Sequence, residues 1–127
     1  MKNLQLFVYG TLMRGEVEHP VLREATFIKE TTTVDGYRLV ESNGRAALIT
    51  ATHGVVEGEL YQLGAELLRQ LDVLREAGRL YSRQAVTLHD GQQAQAYLMS
   101  EDQVRGKRRV QGSSWKRRFA PLGRTTR

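Results

Sequence analysis

The sequence predicts an α+β fold: a small mixed, mostly antiparallel β-barrel with one main helix. Roughly six segments rich in β-branched and aromatic residues are separated by dipeptides that favour tight hairpin turns. These turn dipeptides are Asp35-Gly36, Asn43-Gly44 and Asp90-Gly91. The segment at about residues 65–76 has helical spacing instead, with one face formed by Leu67, Leu68, Leu71 and Leu74. Strands in this number around a single helix are typical of a sheet that curls or closes on itself.

The individual elements follow from local composition. Residues 4–9 are apolar and end at Gly10, which predicts a buried strand followed by a turn. Pro20 can begin a short helical turn, and Gly78 is expected to end the main helix. Further strands are expected at residues 26–40 (interrupted by the first turn dipeptide), 46–51, 55–63, 81–89 and 93–99.

Composition excludes several classes of protein. The chain has 127 residues, of which 40% are hydrophobic and 26% charged, values typical of one globular domain with its own core. The absence of cysteine excludes disulfides and thiolate metal sites, and the three histidines are too widely spaced in sequence to suggest a zinc site. No apolar run approaches the roughly 18 residues that span a bilayer, and no signal peptide is evident. We therefore expect a cytoplasmic protein with no metal ion, no cofactor and no membrane association.

Charge divides the chain into two parts. Residues 1–102 carry 10 Lys/Arg and 14 Asp/Glu, whereas residues 103–127 carry 9 Lys/Arg and no acidic residue. We interpret residues 1–102 as the domain and residues 103–127 as a basic C-terminal extension that is partly docked. Because Trp115 and Phe119 are four residues apart, we expect them to dock from one helical face, with fraying after Pro121.

The first candidate site is Tyr9-Gly10-Thr11-Leu12, where the first strand ends. A glycine turn at a strand end can point consecutive backbone N–H groups at one position, which suits a carboxylate or an oxyanion. Thr11 would add a hydroxyl group, and Tyr9 an aromatic wall. An ordinary turn after a core strand is the alternative explanation of the same residues.

Two further segments combine carboxylates with glycine or aromatic residues. In residues 56–61, Val-Glu-Gly-Glu-Leu-Tyr, the glycine suggests a bulge or a close approach of another group, and both glutamates are expected to be solvated. Residues 71–76, Leu-Asp-Val-Leu-Arg-Glu, are followed by Tyr81 and Arg83. A carboxylate at a helix end that is shielded from water would have a raised pKa and could act as a general acid/base. Solvated helix residues are the alternative for Asp72 and Glu76.

In order and spacing, these three segments resemble the γ-glutamylcyclotransferase-like family, which includes γ-glutamylamine cyclotransferases and small bacterial members. The resemblance covers about residues 4–100. It implies a small mixed β-barrel with a ligand cavity beside the turn. Active members bind a γ-glutamyl group there and cyclise it to 5-oxoproline, because the α-amino group attacks its own γ-carbonyl. The ligand-binding residues implied by the resemblance are Tyr9, Gly10, Thr11, Leu12 and Tyr81.

The sequence departs from the family pattern at the end of the helix. The resemblance places an acid/base glutamate four residues after Leu71, where this chain has Arg75, and Glu76 follows one place later. One residue rotates a helical side chain by about 100°, and arginine cannot accept a proton at neutral pH. The chain is more similar to a branch of small bacterial members that also has arginine at this position. We therefore expect weak or absent cyclotransferase activity, with Glu76 as the displaced catalytic candidate.

Arg75 itself is expected to bind an anionic ligand through its bidentate guanidinium. A solvated arginine that is favoured by the helix dipole is the alternative.

The leading hypothesis is a cavity for a small amino-acid or carboxylate ligand, linked to 5-oxoproline release from γ-glutamyl-amines or peptides. The alternative is a non-enzymatic module that binds nucleic acid or an acidic partner through the basic extension. Residues 105–109 and 115–119 interleave basic and aromatic side chains, as phosphate contact with base stacking would require.

Overall fold

Eight strands and one α-helix form the fold of residues 4–119, the part of the chain that the computed structural model describes. The strands are β1 (Leu4–Val8), β2 (Thr26–Thr32), β3 (Tyr37–Ser42), β4 (Arg45–Thr50), β5 (Glu57–Leu63), β6 (Ser82–Thr87), β7 (Gln93–Leu98) and β8 (Arg108–Arg109). Helix α1 covers Ala65–Leu74, and a 3-10 turn covers His19–Leu22. Within residues 4–119, no helix has the length and apolar character needed to cross a membrane.

The strands pair into one mixed sheet in the order β2-β5-β1-β7-β4-β3-β8, and β6 also pairs with β7. Strand β7 is parallel to β1 and β4, whereas the other pairings are antiparallel. The sheet curls into a half-barrel and α1 is its single α-helix within the described residues. The predicted α+β class with a mixed, mostly antiparallel sheet is confirmed.

Strand β8 is an element that the sequence did not predict. It consists of Arg108 and Arg109, which pair with Glu41 and Val40 of β3. Two consecutive arginines have no alternation of apolar and polar residues, so the pattern that identifies a half-buried strand is absent. The other strand positions agree with the predicted segments, and residues 26–40 divide into β2 and β3 at the first turn dipeptide.

The core lies inside the curl of the sheet. Leu6, Phe7 and Val8 of β1 are at most 3% exposed, and α1 contributes Leu68 and Leu71. Leu74, which was predicted to belong to the buried helical face, is 40% exposed because the helix ends there.

A Schellman motif ends the helix. The N–H of Ala77 donates to the carbonyl of Asp72 (2.9 Å), and the N–H of Glu76 donates to that of Val73 (3.1 Å). Glu76 therefore has φ +51°, in the left-handed region that favours glycine. The helix ends two residues earlier than predicted, at Leu74, and the expected terminator Gly78 lies beyond the motif.

Replacing Glu76 with glycine is expected to raise the free energy of unfolding by about 0.5–1 kcal/mol, because glycine has no Cβ to oppose a left-handed conformation. The ion pair of Glu76 with Arg79 is exposed and contributes little. Urea denaturation measures the change. Arg79→Gln, which removes only the ion pair, is the matched control and should leave stability nearly unchanged. A Glu76→Gly protein no more stable than the wild type would contradict the prediction.

Residues 103–119 pack against the same core as the strands. Val104 and Val110 are buried, and Trp115 is fully buried. The expectation that Phe119 docks beside Trp115 is wrong, since Phe119 is 72% exposed. Residues 115–119 form turns rather than a helix, and the guanidinium of Arg118 lies 3.9 Å from the Trp115 ring and 4.7 Å from the Phe119 ring. The predicted fraying after Pro121 lies outside the described residues.

Some of the basic residues in this segment form ion pairs within the protein. Arg117 binds Glu57 at 2.8 Å, and Lys116 lies 3.8 Å from Glu59. Arg108 and Arg109 are exposed. The internal pairs reduce the free positive charge that the alternative, nucleic-acid binding, would use.

Candidate functional site

The turn at residues 9–12 directly follows β1, and its side chains are buried. Within the described residues, the backbone N–H groups of Gly10, Thr11 and Leu12 donate to no protein group. Gly10 is held against β4, since a Cβ at this position would lie 2.6 Å from the Cβ of Ala46. Glycine is therefore required here for space, and the turn leaves three amides available to an acceptor.

A cavity of about 20 Å³ lies beside this turn. Residues 7–12 form one side of it, and Ala46, Arg75 and Tyr97 form the rest. This volume is roughly that of a single water molecule. The cavity therefore admits a γ-glutamyl group only if a neighbouring side chain moves.

Arg75 is the C-terminal cap of α1 and extends toward the turn. Its side chain is 7% exposed, so the alternative of a solvated helix-end arginine is wrong. Nη2 donates to Oε1 of Glu18 at 2.7 Å and to the hydroxyl of Thr11 at 3.4 Å, and Nη1 donates to Oε2 of Glu18 at 3.3 Å. The position where the family pattern has a glutamate thus holds a buried cation.

Glu18 is a residue of the candidate site that the sequence did not reveal. It precedes the 3-10 turn, and its side chain is 13% exposed. Its carboxylate accepts hydrogen bonds from Arg75 and Thr11, and Arg45 lies 3.2 Å away. Burial alone would raise the pKa of Glu18, but the hydrogen bonds from Arg75 and Thr11 and the charges of Arg75 and Arg45 lower it to about 2.

Tyrosines fix the backbone around the cavity. The hydroxyl of Tyr9 donates to the carbonyl of Tyr97 (2.5 Å), and that of Tyr81 donates to the carbonyl of Ala46 (3.0 Å). The Tyr81 ring centroid lies 5.6 Å from the guanidinium carbon of Arg75. Tyr81 therefore supports Arg75 rather than lining the cavity directly. Burial raises the pKa of both hydroxyls, which remain protonated donors at neutral pH.

Asp72 positions Tyr97, a residue of the cavity wall. Its Oδ1 accepts hydrogen bonds from the hydroxyl of Tyr97 (2.7 Å) and from Nε of Arg83 (2.8 Å). Burial opposes ionisation of Asp72, but these two donors lower its pKa overall. Nη2 of Arg83 also donates to Oδ2 at 3.1 Å, so all three hydrogen bonds to this carboxylate come from strand residues and Asp72 is a positioning group.

Glu76, the displaced catalytic candidate, lies outside the cavity. It is exposed and forms an ion pair with Arg79. The left-handed conformation at Glu76 changes the direction of the chain, so its side chain does not follow that of Arg75. The structure therefore brings together the turn, Arg75 and Tyr81, and separates Glu76 from them.

Residues 56–61 support the turn from β5. A Cβ on Gly58 would lie 2.2 Å from the carbonyl oxygen of Val8, so the predicted close approach is to β1 itself. Glu59 was expected to be solvated, but its side chain is only 4% exposed. It accepts hydrogen bonds from the backbone N–H of Arg14 (3.0 Å) and the hydroxyl of Tyr61 (2.9 Å). Glu59 thereby anchors the chain just after the turn.

No group of three or more histidine, aspartate and glutamate side chains in residues 4–119 is arranged to hold a metal ion. The charged groups of the site are instead one carboxylate, on Glu18, and two guanidinium groups, on Arg45 and Arg75. The cluster carries a net positive charge, which suits an additional anion.

Known proteins share this sequence pattern and this fold. The family described as "Gamma-glutamyl cyclotransferase, AIG2-like" matches residues 6–117. Gamma-L-glutamyl-butirosin B gamma-glutamyl cyclotransferase from Niallia circulans is 37% identical over 71 residues, which are 56% of this chain and 45% of that protein. The matched part of the chain thus spans less than half the length of that relative.

Solved structures show the same architecture. A uropathogenic E. coli-specific protein matches with a TM-score of 0.80 and 26% identity, over 92% of this chain and 95% of that one. An AIG2-like protein from Mus musculus matches with a TM-score of 0.72 and 27% identity, over 78% of each chain.

A curled, mostly antiparallel sheet with one helix is the fold that the chain shares with these AIG2-like neighbours. The chain belongs to the γ-glutamyl cyclotransferase, AIG2-like family. The predicted family resemblance is confirmed.

Proposed function

We propose that the protein binds a small carboxylate ligand of the γ-glutamyl or 5-oxoproline type beside the turn at residues 9–12. The family supports this ligand class, since relatives carry names such as gamma-glutamylaminecyclotransferase. Three available turn amides and the buried guanidinium of Arg75 are groups that bind carboxylates. Thr11 adds a hydroxyl donor, and Tyr9 and Tyr81 hold the surrounding walls.

We infer that cyclotransferase turnover is weak or absent. In the reaction, the α-amino nitrogen bonds to the γ-carbonyl carbon, the bond to the departing amine breaks, and a proton passes from the ammonium to that amine. Proximity is supplied by the substrate itself, and the turn amides suit the oxyanion that forms. A proton acceptor is still required.

The observation that carries this inference is the position of Arg75. A guanidinium stays protonated at neutral pH and cannot accept the ammonium proton. Glu18 reaches the same place, but a carboxylate with a pKa of about 2 is a poor acceptor. Glu76 is exposed, pairs with Arg79 and does not line the cavity, which argues against its taking this role.

A double variant with Arg75→Glu and Glu18→Gln is expected to release 5-oxoproline at least about 100-fold faster than the wild type, the lower end of general acid/base contributions. It puts a carboxylate at the helix end and removes the neighbouring carboxylate that would repel it. Chromatographic assay of 5-oxoproline from a γ-glutamyl-amine and a γ-glutamyl dipeptide measures the rate. The single variant Glu18→Gln is the control and should stay inactive.

Robust turnover by the wild-type protein would contradict the inference. Glu76→Gln then identifies the source of that turnover: loss of activity in this variant would assign the proton transfer to the displaced glutamate.

A further inference from the structure

The carboxylate of Glu18 binds the same donor groups that a ligand carboxylate would use. Its two oxygens face two nitrogens of Arg75, at 2.7 and 3.3 Å, which is the bidentate arrangement of an arginine–carboxylate pair. The Thr11 hydroxyl donates to the same carboxylate, and Arg45 contacts it from the exposed side. Thr11 belongs to the turn and Arg75 to the helix end, and Arg45 begins β4 next to Ala46 of the cavity wall.

Glu18 also occupies the cation that the cavity offers to a ligand. Arg75 lines the cavity of about 20 Å³ and Glu18 does not, but both terminal nitrogens of Arg75 donate to the Glu18 carboxylate. A ligand carboxylate can form the same bidentate pair with Arg75 only when the Glu18 side chain withdraws. When the Glu18 side chain withdraws, the guanidinium groups of Arg45 and Arg75 lose the carboxylate that they share. A ligand carboxylate that enters then restores the missing negative charge.

The segment at residues 15–18, which carries Glu18, has few apolar contacts with the rest of the protein. Gly15 has φ +83° and has open space around it. Val17 is 82% exposed, so the segment buries little apolar surface. Two backbone hydrogen bonds hold it to residues 11–13: the N–H of Glu18 donates to the carbonyl of Thr11 at 2.9 Å, and the N–H of Glu16 donates to that of Met13 at 3.0 Å. Segments with few buried apolar contacts open at low cost in free energy.

We propose that Glu18 is a built-in occupant of the anion position, and that a ligand carboxylate binds by exchanging with it. This proposal rests on the proposed function, since it concerns the same cavity. Exchange conserves the charge next to Arg75 only for a ligand that carries a carboxylate. Glu18 therefore selects carboxylate ligands against neutral ones of the same shape, and residues 15–18, which follow the anchored Arg14, open when such a ligand binds.

Calorimetric titration with 5-oxoproline, and with its neutral carboxamide as a matched probe, tests the proposal. The Glu18→Gln protein is expected to bind 5-oxoproline about tenfold or more tightly than the wild type, because the competing internal carboxylate is gone. The carboxamide should gain nothing. Glu16→Gln makes the same change of charge in the same segment and should bind as the wild type does. Glu18→Asp, which keeps the charge on a shorter side chain, should give an intermediate gain.

Hydrogen exchange in the wild-type protein gives a second readout. The amides of residues 15–18 are expected to exchange faster when 5-oxoproline is bound, whereas a ligand that packs under a closed segment would slow them. Slower amide hydrogen exchange on binding would overturn the proposal. So would an affinity of Glu18→Gln for 5-oxoproline that equals or falls below that of the wild type, since Glu18 would then be part of the ligand-binding surface. If the wild-type and Glu18→Gln proteins both fail to bind 5-oxoproline, and the Arg75→Gln protein gives the same titration, the proposed function fails together with the inference.

Discussion

Replacing Trp115 with alanine is expected to lower the free energy of unfolding by about 3–5 kcal/mol, as for other large aromatic residues removed from a core. Trp115 is fully buried and belongs to the same core as β1 and α1, although it lies in the basic C-terminal segment. Alanine would remove the packed ring and leave a cavity that the surrounding strands can fill only in part. Urea denaturation followed by circular dichroism measures the loss.

Phe119→Ala is the matched control for this experiment. It removes an aromatic ring from the same segment, but that ring is 72% exposed, so stability should change by no more than about 0.5 kcal/mol. Equal effects of the two substitutions would show that residues 103–119 do not fold as part of the core. The comparison also tests the predicted boundary between residues 1–102 and the extension.

The ion pair between Glu18 and Arg75 is expected to make the free energy of unfolding fall as the pH is lowered. The pKa of Glu18 is lowered from 4.5 to about 2 in the folded protein, so its contribution is present above pH 4.5 and is lost as the pH falls toward 2. A shift of this size corresponds to up to about 3 kcal/mol at neutral pH. Wild-type and Glu18→Gln proteins should therefore differ most at pH 7, and the difference should close by about pH 2.

Thermal melts at pH 7, 4.5, 3 and about 2 measure this dependence. Glu16→Gln provides the control, since it lies in the same segment but is not part of the ion-pair cluster, and it should follow the wild-type curve. A constant difference between wild type and Glu18→Gln across this range would show that the carboxylate is not held by Arg75 in solution.

Local patterns were sufficient for the elements that form the frame of the site. The apolar run at residues 4–9 identified β1, the glycine that follows it identified the turn, and leucine spacing identified α1. These features are set by neighbouring residues, because strand alternation, helical periodicity and turn conformation are short-range properties. The resemblance to the family then predicted that the turn and Arg75 lie near each other in space, which no local pattern indicates.

The charged half of the site could not be predicted in the same way. Glu18 and Arg75 are 57 residues apart, and Glu18 lies in an irregular segment where a single glutamate has no pattern around it. The exposure of Glu76 depends on its left-handed backbone, which arises from the Schellman hydrogen bonds and not from the identity of the residue. The first feature is decided by a long-range contact, and the second by local hydrogen bonds that the residue types at the helix end do not signal.

Gly58 allows β5 to pack directly against the end of β1, from which the turn at residues 9–12 begins. The absence of a side chain there lets β5 approach the carbonyl oxygen of Val8, immediately before the chain leaves β1 for the turn. A Cβ at this position would also lie 2.7 Å from the Phe7 ring, so a larger residue would force β1 and β5 apart and shift the turn that follows β1. The position of the turn amides therefore depends on a residue of β5, because the distance between these two strands sets where the amides lie.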